Sequence, residues 1–306
     1  EFRQPKVGLD DVVVDDYGAT VGDASLVSRL QNTQGEKVIS VGPAGGWGRG
    51  DEAVRLAQEK WGLEIDTVPY ADLAQRLKAA NSDVSIVEQA QEQAREYVSG
   101  DGITLETDMQ FISNAFVLYQ VFKDLMREMQ ADVITIGQCM STIMPLAETT
   151  ACLPLSLIND DGQLAFCESD FVVIPSGILL YHIAGKPVFL NDPTFPHDGV
   201  VTLAHCTAPR KMDGVSYEDA RIVTHFESDY GAAPKVEFTK GQEVTVIVPD
   251  FNEVVWTGFR GHVLDAPFYP TCRSQVDIEI DGDCDKLLRE MKGFHWMMCY
   301  GAYLKE

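Results

Sequence analysis

The sequence predicts an α/β domain followed by a mostly antiparallel β domain, and three observations carry that prediction. From residue 36 to about residue 190, short apolar runs alternate with helical stretches, the grammar of strands wound with helices. After about residue 198 the runs become short, rich in Val, Ile and Thr, and separated by Gly, Pro or Asp turns, as in an antiparallel sheet or barrel. The chain has 306 residues, of which 45% are hydrophobic, enough for two cored domains. The expected division is 1–198 and 199–306.

In chain order, Val38-Ile39-Ser40-Val41 reads as a strand, Asp51 to Trp61 as a helix with a polar first turn, and Glu64 to Val68 as a second strand. Residues 83–98 form a polar helix. Residues 107–130 form a long amphipathic one, with Phe111, Phe116, Leu118, Phe122, Leu125 and Met129 near helical spacing. Ala131 to Ile136 follows as a central strand, then a helical region near 141–151, a strand over 163–167, a helix over 171–184 and a strand over 186–190. In the second domain strands are expected at 200–204, 221–226, 235–239, 243–249, 253–259 and 276–280, with Lys240-Gly241-Gln242 as a hairpin turn. A helix at about 283–292 and a strand-like tail from His295 to Tyr303 complete it.

Lys plus Arg number 24 against 47 Asp plus Glu, a net charge of −23, which opposes binding to nucleic acid or an anionic membrane. Cations and neutral polar ligands fit better. No run of 18 uninterrupted apolar residues occurs, so no transmembrane helix is expected. The seven cysteines are scattered, with no Cys-x-x-Cys pair, which argues against a disulfide framework and a structural zinc site and for a reducing cytoplasm.

Two acidic clusters are the most informative local feature. Cys167-Glu168-Ser169-Asp170 closes one apolar run and Asn191-Asp192-Pro193 the next, with Glu168 and Asp192 24 residues apart. That is the length of one strand-helix-strand unit, which places both carboxylates at the carboxyl edge of a parallel sheet, where such sheets bind ligands. Fixed there, the pair suits a divalent cation, a proton transfer, or both. The plainer reading is a helix cap for Glu168, although Ser169 and Asp170 already supply capping groups, and a simple turn for Asp192.

All six histidines, at 182, 197, 205, 225, 262 and 295, lie in the second half, which points to chemistry near the junction and the β domain. His205, in Ala204-His205-Cys206-Thr207, reads as a site-lining residue, with its neighbouring thiol in packing. His295 sits in an aromatic, sulfur-rich tail and reads either as a core histidine or as an imidazole ligand. The glycines of 42–50 lack the ending of a phosphate loop and the spacing of the dinucleotide fingerprint. They read as a flexible turn bearing Trp47 and Arg49, with sugar or phosphate contact as the second reading. Gln138 and Cys139 end the central strand and are placed to line the same crevice.

Together, Leu157-Ile158-Asn159-Asp160-Asp161-Gly162, Cys167-Glu168-Ser169-Asp170, Gly185-Lys186-Pro187-Val188-Phe189 with Asn191-Asp192, His205-Cys206-Thr207-Ala208-Pro209 and His295 before Tyr300-Gly301 resemble the L-fucose isomerase and L-arabinose isomerase-like superfamily. The resemblance is best over 131–210 and in the tail. It implies Rossmann-like α/β architecture followed by a β-barrel. It further implies that Glu168 and Asp192 bind a divalent cation, typically Mn²⁺, and act as the acid/base pair, with His295 completing the protein ligands. The implied activity is metal-dependent aldose–ketose isomerisation through an ene-diol, with Gln138, Cys139, His205 and Trp47 as substrate-lining residues. Full-length members carry a further N-terminal α/β domain and assemble as homo-oligomers in which a neighbouring subunit closes the site. This chain is therefore expected to be such an isomerase or the catalytic portion of one, or alternatively a non-catalytic carbohydrate-binding or regulatory relative of the same fold. A nucleotide-using enzyme centred on 42–50 is a third possibility.

Overall fold

A computed structural model of the protein describes residues 31–250 and 255–304, with Ser28 and Glu306. The beginning of the expected first domain and residues 253 and 254 of an expected strand lie outside the described residues.

Four parallel strands form the first sheet: β1 (Lys37–Val41), β2 (Glu64–Val68), β4 (Val133–Ile136) and β5 (Leu164–Phe166), in the order β2-β1-β4-β5. Strands β1 and β4 lie at its centre and are almost wholly buried, as expected where helices cover both faces. Helix α1 (Asp51–Trp61) starts with Asp51 and Glu52, ends near Lys60, and stops at Gly62 in the left-handed conformation. These charges complement the helix dipole, and glycine tolerates the terminating geometry. Helix α2 (Tyr70–Ser82) has no counterpart in the sequence reading. Helix α3 (Val84–Ser99) is capped by Asp83, whose carboxylate accepts from the Ser85 and Ile86 N–H groups. Helix α4 (Met109–Met129) buries Ile112, Phe116, Leu118, Phe122 and Leu125 in the main core. Next come a π-helical turn at Cys139–Ile143, α5 (Met144–Ala147), α6 (Cys152–Asp160) and α7 (Ile174–Ala184). No single helix among the described residues is long and apolar enough to cross a membrane.

The second architectural unit is a closed barrel of β6 (Phe189–Pro193), β7 (Val200–His205), β10 (Glu243–Asp250), β11 (Val255–Asp265), β12 (Ser274–Asp281) and β13 (Trp296–Tyr300), in the order β10-β11-β12-β7-β6-β13. Its strand pairings among the described residues are all antiparallel. A Rossmann-like sheet followed by a β-barrel is therefore the observed fold. Helix α8 (Cys284–Glu290) precedes β13, with Asp283 as its cap.

Three sequence expectations change. The run at 186–190 becomes β6, which joins the barrel through β13 and β7 and not the parallel sheet. It reads like a parallel-sheet strand because both faces are buried: Phe189 faces the main core, while Val188 and Leu190 pack with Ile174, Ile178 and Met297. The barrel consequently begins ahead of residue 198. The runs near 221 and 235 are also not barrel strands. They form β8 (Ala220–Val223) and β9 (Ala233–Val236), which join β3 (Ile103–Leu105) in a separate three-stranded sheet. Lys240-Gly241-Gln242 therefore leads from that sheet into the barrel and does not close a hairpin. Strand propensity reports extended backbone, whereas its partner is chosen by packing.

Candidate metal centre

Barrel register brings three of the candidates to one rim. Trp296 pairs with Asn191 at the end of the β13–β6 ladder, so the next step sets His295 opposite Asp192. Asp192 pairs with Ala204 of β7, whose next residue is His205. Glu168 arrives from the other unit, just after β5. The site thus lies where the parallel sheet meets the barrel rim, and Asp192 reaches it from a barrel strand instead of from the carboxyl edge of the sheet.

The segment that delivers Glu168 is strained. Glu168 and Ser169 both have left-handed backbones, at φ 68° and 48°, which costs a residue bearing a Cβ about 1–2 kcal/mol. Surrounding hydrogen bonds hold it. The Ser169 N–H donates to Thr135 Oγ1 at 3.1 Å, and the Ser169 and Ser40 hydroxyls meet at 3.1 Å. The glycine-rich loop adds a clamp: Gly45 bridges Asp170, and Phe171 N–H donates to Gly45 O at 2.9 Å. At Gly46 a Cβ would stand 2.3 Å from that of Ala53, so this approach requires glycine. The loop 42–50 is thus a structural brace, and Trp47 N–H donates to Asp170 Oδ1 at 2.9 Å.

His295 is the hub. Its Nδ1 lies 2.7 Å from Asp170 Oδ2, while Nε2 lies 3.4 Å from Glu168 Oε2 and 3.3 Å from Asp192 Oδ1. Although so close, His295 Nε2 and Asp192 Oδ1 are buried atoms without a hydrogen-bond partner. Each such atom costs about 1–3 kcal/mol if left unsatisfied. Octahedral coordination with bonds of about 2.1 Å sets neighbouring donors about 3 Å apart, and the 3.3 Å between His295 Nε2 and Asp192 Oδ1 is close to that spacing. Ligand atoms of Asp192, His205 and His295 lie within 4.8 Å of one another, as do those of Cys167, Glu168 and His205. These residues can hold a metal ion, and their carboxylate and imidazole donors suit a hard or borderline divalent ion.

Electrostatics separates the carboxylates. Glu168 is held below the usual range chiefly by the His295 ring 3.4 Å away, against the opposing effect of burial. Burial pushes Asp192 up to about 7, which the His295 charge opposes and Glu168 reinforces. Burial alone would lower His295, but Asp170, Glu168 and Asp192 outweigh it and raise it to about 10. His205 is pushed down to about 4 by burial, so it is a neutral imidazole, and its Nδ1 meets Thr207 Oγ1 at 2.9 Å.

The remaining candidates divide. Trp47 is 57% exposed and stacks on Phe294 with ring centroids 4.3 Å apart, with its edge toward His295 at 6.1 Å. Cys139 is half-buried, and burial pushes its thiol up to about 11, with the Glu168 charge adding to the shift. Gln138 stands exposed at the end of β4, with its side-chain oxygen accepting from Thr142, and is not brought to His295. The sequence reading treated Asp170 as a helix-capping group. It does accept from Val172 N–H at 3.1 Å, but its other oxygen orients His295. His225 and Glu227, whose charges act on Glu168 and Asp192 respectively, were not singled out beyond the one-sided placement of the histidines. Their loop carries no local signature, and folding alone places it here.

No protein-family model matches the chain, and no curated protein is significantly similar to it. The geometry must therefore carry the functional argument.

Proposed function

We propose that the chain is a metal-dependent aldose–ketose isomerase acting through an ene-diol, or the catalytic portion of one, with Glu168, Asp192 and His295 as metal ligands and Mn²⁺ as the ion. The observation that supports this most is the convergence of Glu168 Oε2 and Asp192 Oδ1 on the unpartnered His295 Nε2. His205, at the same rim, is a further candidate ligand.

Isomerisation moves a proton between adjacent carbons, so it needs one group ready to accept a proton and another able to hold one. The metal, when bound, supplies polarisation of the two sugar oxygens and stabilises their developing negative charge. Glu168, kept ionised by His295, is suited to accept the proton. Asp192, the second carboxylate at the same rim, is placed to return it. The apolar Trp47–Phe294 stack beside His295 offers a face for the carbon side of a sugar and limits access of water. A small neutral sugar also suits a chain of net charge −23. Assembly into a homo-oligomer and a cytoplasmic location belong to the same proposal.

A panel of aldoses and ketoses assayed with Mn²⁺, on this chain and on any longer gene product containing it, tests the reading. Turnover of at least one sugar is expected, and Glu168→Gln should lower kcat by about 10²- to 10⁴-fold, the range of general base catalysis. No turnover by either form refutes the reading. Sugar binding without metal or turnover assigns the carbohydrate-binding alternative.

A further inference from the structure

Behind Asp192 lies a cluster the proposed chemistry does not use. Cys152, Cys206 and Cys272 pack together with Ala233, and Cys206 is within hydrogen-bonding reach of both other thiols. Cys152 and Cys206 are 5% and 2% exposed, whereas Cys272 is half-buried. Cys206 and Cys272 lie just beyond the paired ends of β7 and β12. Ser274 pairs with His205, and where the ladder ends Cys206 turns its sulfur toward the other segment, accepting the Arg273 N–H at 3.4 Å, beside Cys272. Cys272 Sγ also lies 4.0 Å from Asp192 Oδ2, the one hydrogen bond to that carboxylate among the described residues.

We propose that Cys206 and Cys272 form a reversible disulfide site, and that closing it withdraws a thiol hydrogen bond from the Asp192 carboxylate. The coupling to Asp192 deepens the isomerase reading and rests on it; the disulfide itself does not. The oxidant is a small-molecule disulfide. Cys272, the more accessible sulfur, attacks one sulfur of the oxidant, forming a mixed disulfide and releasing one thiol. The Cys206 sulfur then displaces the second thiol from Cys272 Sγ. Each protein thiol gives its proton to a departing thiolate. The protein pair loses two electrons and the oxidant gains them. Cys152, only 5% exposed, stays reduced.

The test uses the full chain treated with glutathione disulfide, blocked with N-ethylmaleimide and digested without reductant. Mass spectrometry should find the peptides of Cys206 and Cys272 joined, and dithiothreitol should separate them. Cys152→Ser should keep the link, and Cys272→Ser should abolish it. A Cys152–Cys206 link, a mixed disulfide that persists on Cys272, or no oxidation of the pair overturns the assignment, and the wild-type digest decides this even if a variant fails to fold. The oxidised chain should bind Mn²⁺ about 3- to 10-fold more weakly than the reduced one, about the loss of one hydrogen bond. An unchanged affinity refutes the coupling to Asp192. A reduced chain that binds no Mn²⁺ counts against the isomerase reading, and the digest still decides the disulfide.

Discussion

Asp170 uses both carboxylate oxygens as acceptors: Oδ2 from His295 Nδ1 at 2.7 Å, and Oδ1 from the Trp47 and Val172 N–H groups at 2.9 and 3.1 Å. One buried side chain thus fixes the ring orientation of His295 and ties the glycine-rich loop to the segment bearing Glu168. With Nδ1 donating to Asp170, Nε2 is the nitrogen that faces Glu168 and Asp192, the arrangement by which carboxylates orient metal-binding histidines.

Asp170→Asn should therefore be more harmful than its size implies. The amide can accept on one side only, so its NH₂ must face either the His295 N–H or the two backbone donors. Mn²⁺ affinity is expected to fall about 10- to 100-fold, as read by isothermal titration calorimetry. Affinity equal to that of the unsubstituted chain would show that His295 needs no such support.

Thr135→Val removes the buried oxygen that receives the Ser169 N–H at 3.1 Å while preserving the side-chain shape. Thr135 is fully buried and Ser169 nearly so, so the orphaned donor should cost about 1–3 kcal/mol in urea unfolding. Release of the left-handed pair Glu168 and Ser169 should also lower turnover, because the strain is retained only where the surroundings enforce it.

Gly46→Ala tests the brace. Its Cβ would meet Ala53 Cβ at 2.3 Å and Val172 Cγ2 at 3.0 Å, so the loop must move and Trp47 must leave Asp170. Weaker metal binding together with altered tryptophan fluorescence is expected. A crystal structure with an unmoved loop would contradict this.

Asp160 gives a pH prediction away from the metal centre. It is 5% exposed, its Oδ1 accepts the Arg210 and Lys211 N–H groups, its Oδ2 has no partner, and burial pushes it up to about 7. Because the folded form holds its proton more tightly than the unfolded chain, where the ordinary value is 3.8, this residue's contribution to stability declines as pH rises from about 4 to 7. Asp160→Asn removes that decline. Urea midpoints at pH 5 and pH 8 should show the variant gaining on the parent at the higher pH, and an equal difference at both would refute the assignment.

The sequence by itself determined the elements with strong local signals. The amphipathic run at 107–130 became α4 because its apolar spacing matches one face of a long helix. The Val- and Ile-rich runs after residue 198 became strands because β-branched residues favour extended backbone. The apolar runs they close placed Glu168 and Asp192 at strand ends, whereas the residues around His295 left it as either a core histidine or a ligand, and folding brings it beside both carboxylates. Tertiary structure alone decided which sheet each strand joins. A run buried on both faces, such as 186–190, satisfies a parallel sheet and a barrel wall equally, and only the competing partners β7 and β13 settle the choice. The role of Asp170 was hidden for the same reason. Its neighbours in sequence make it a capping group, while the residue it orients, His295, lies 125 positions away and meets it only when the barrel closes against the parallel sheet.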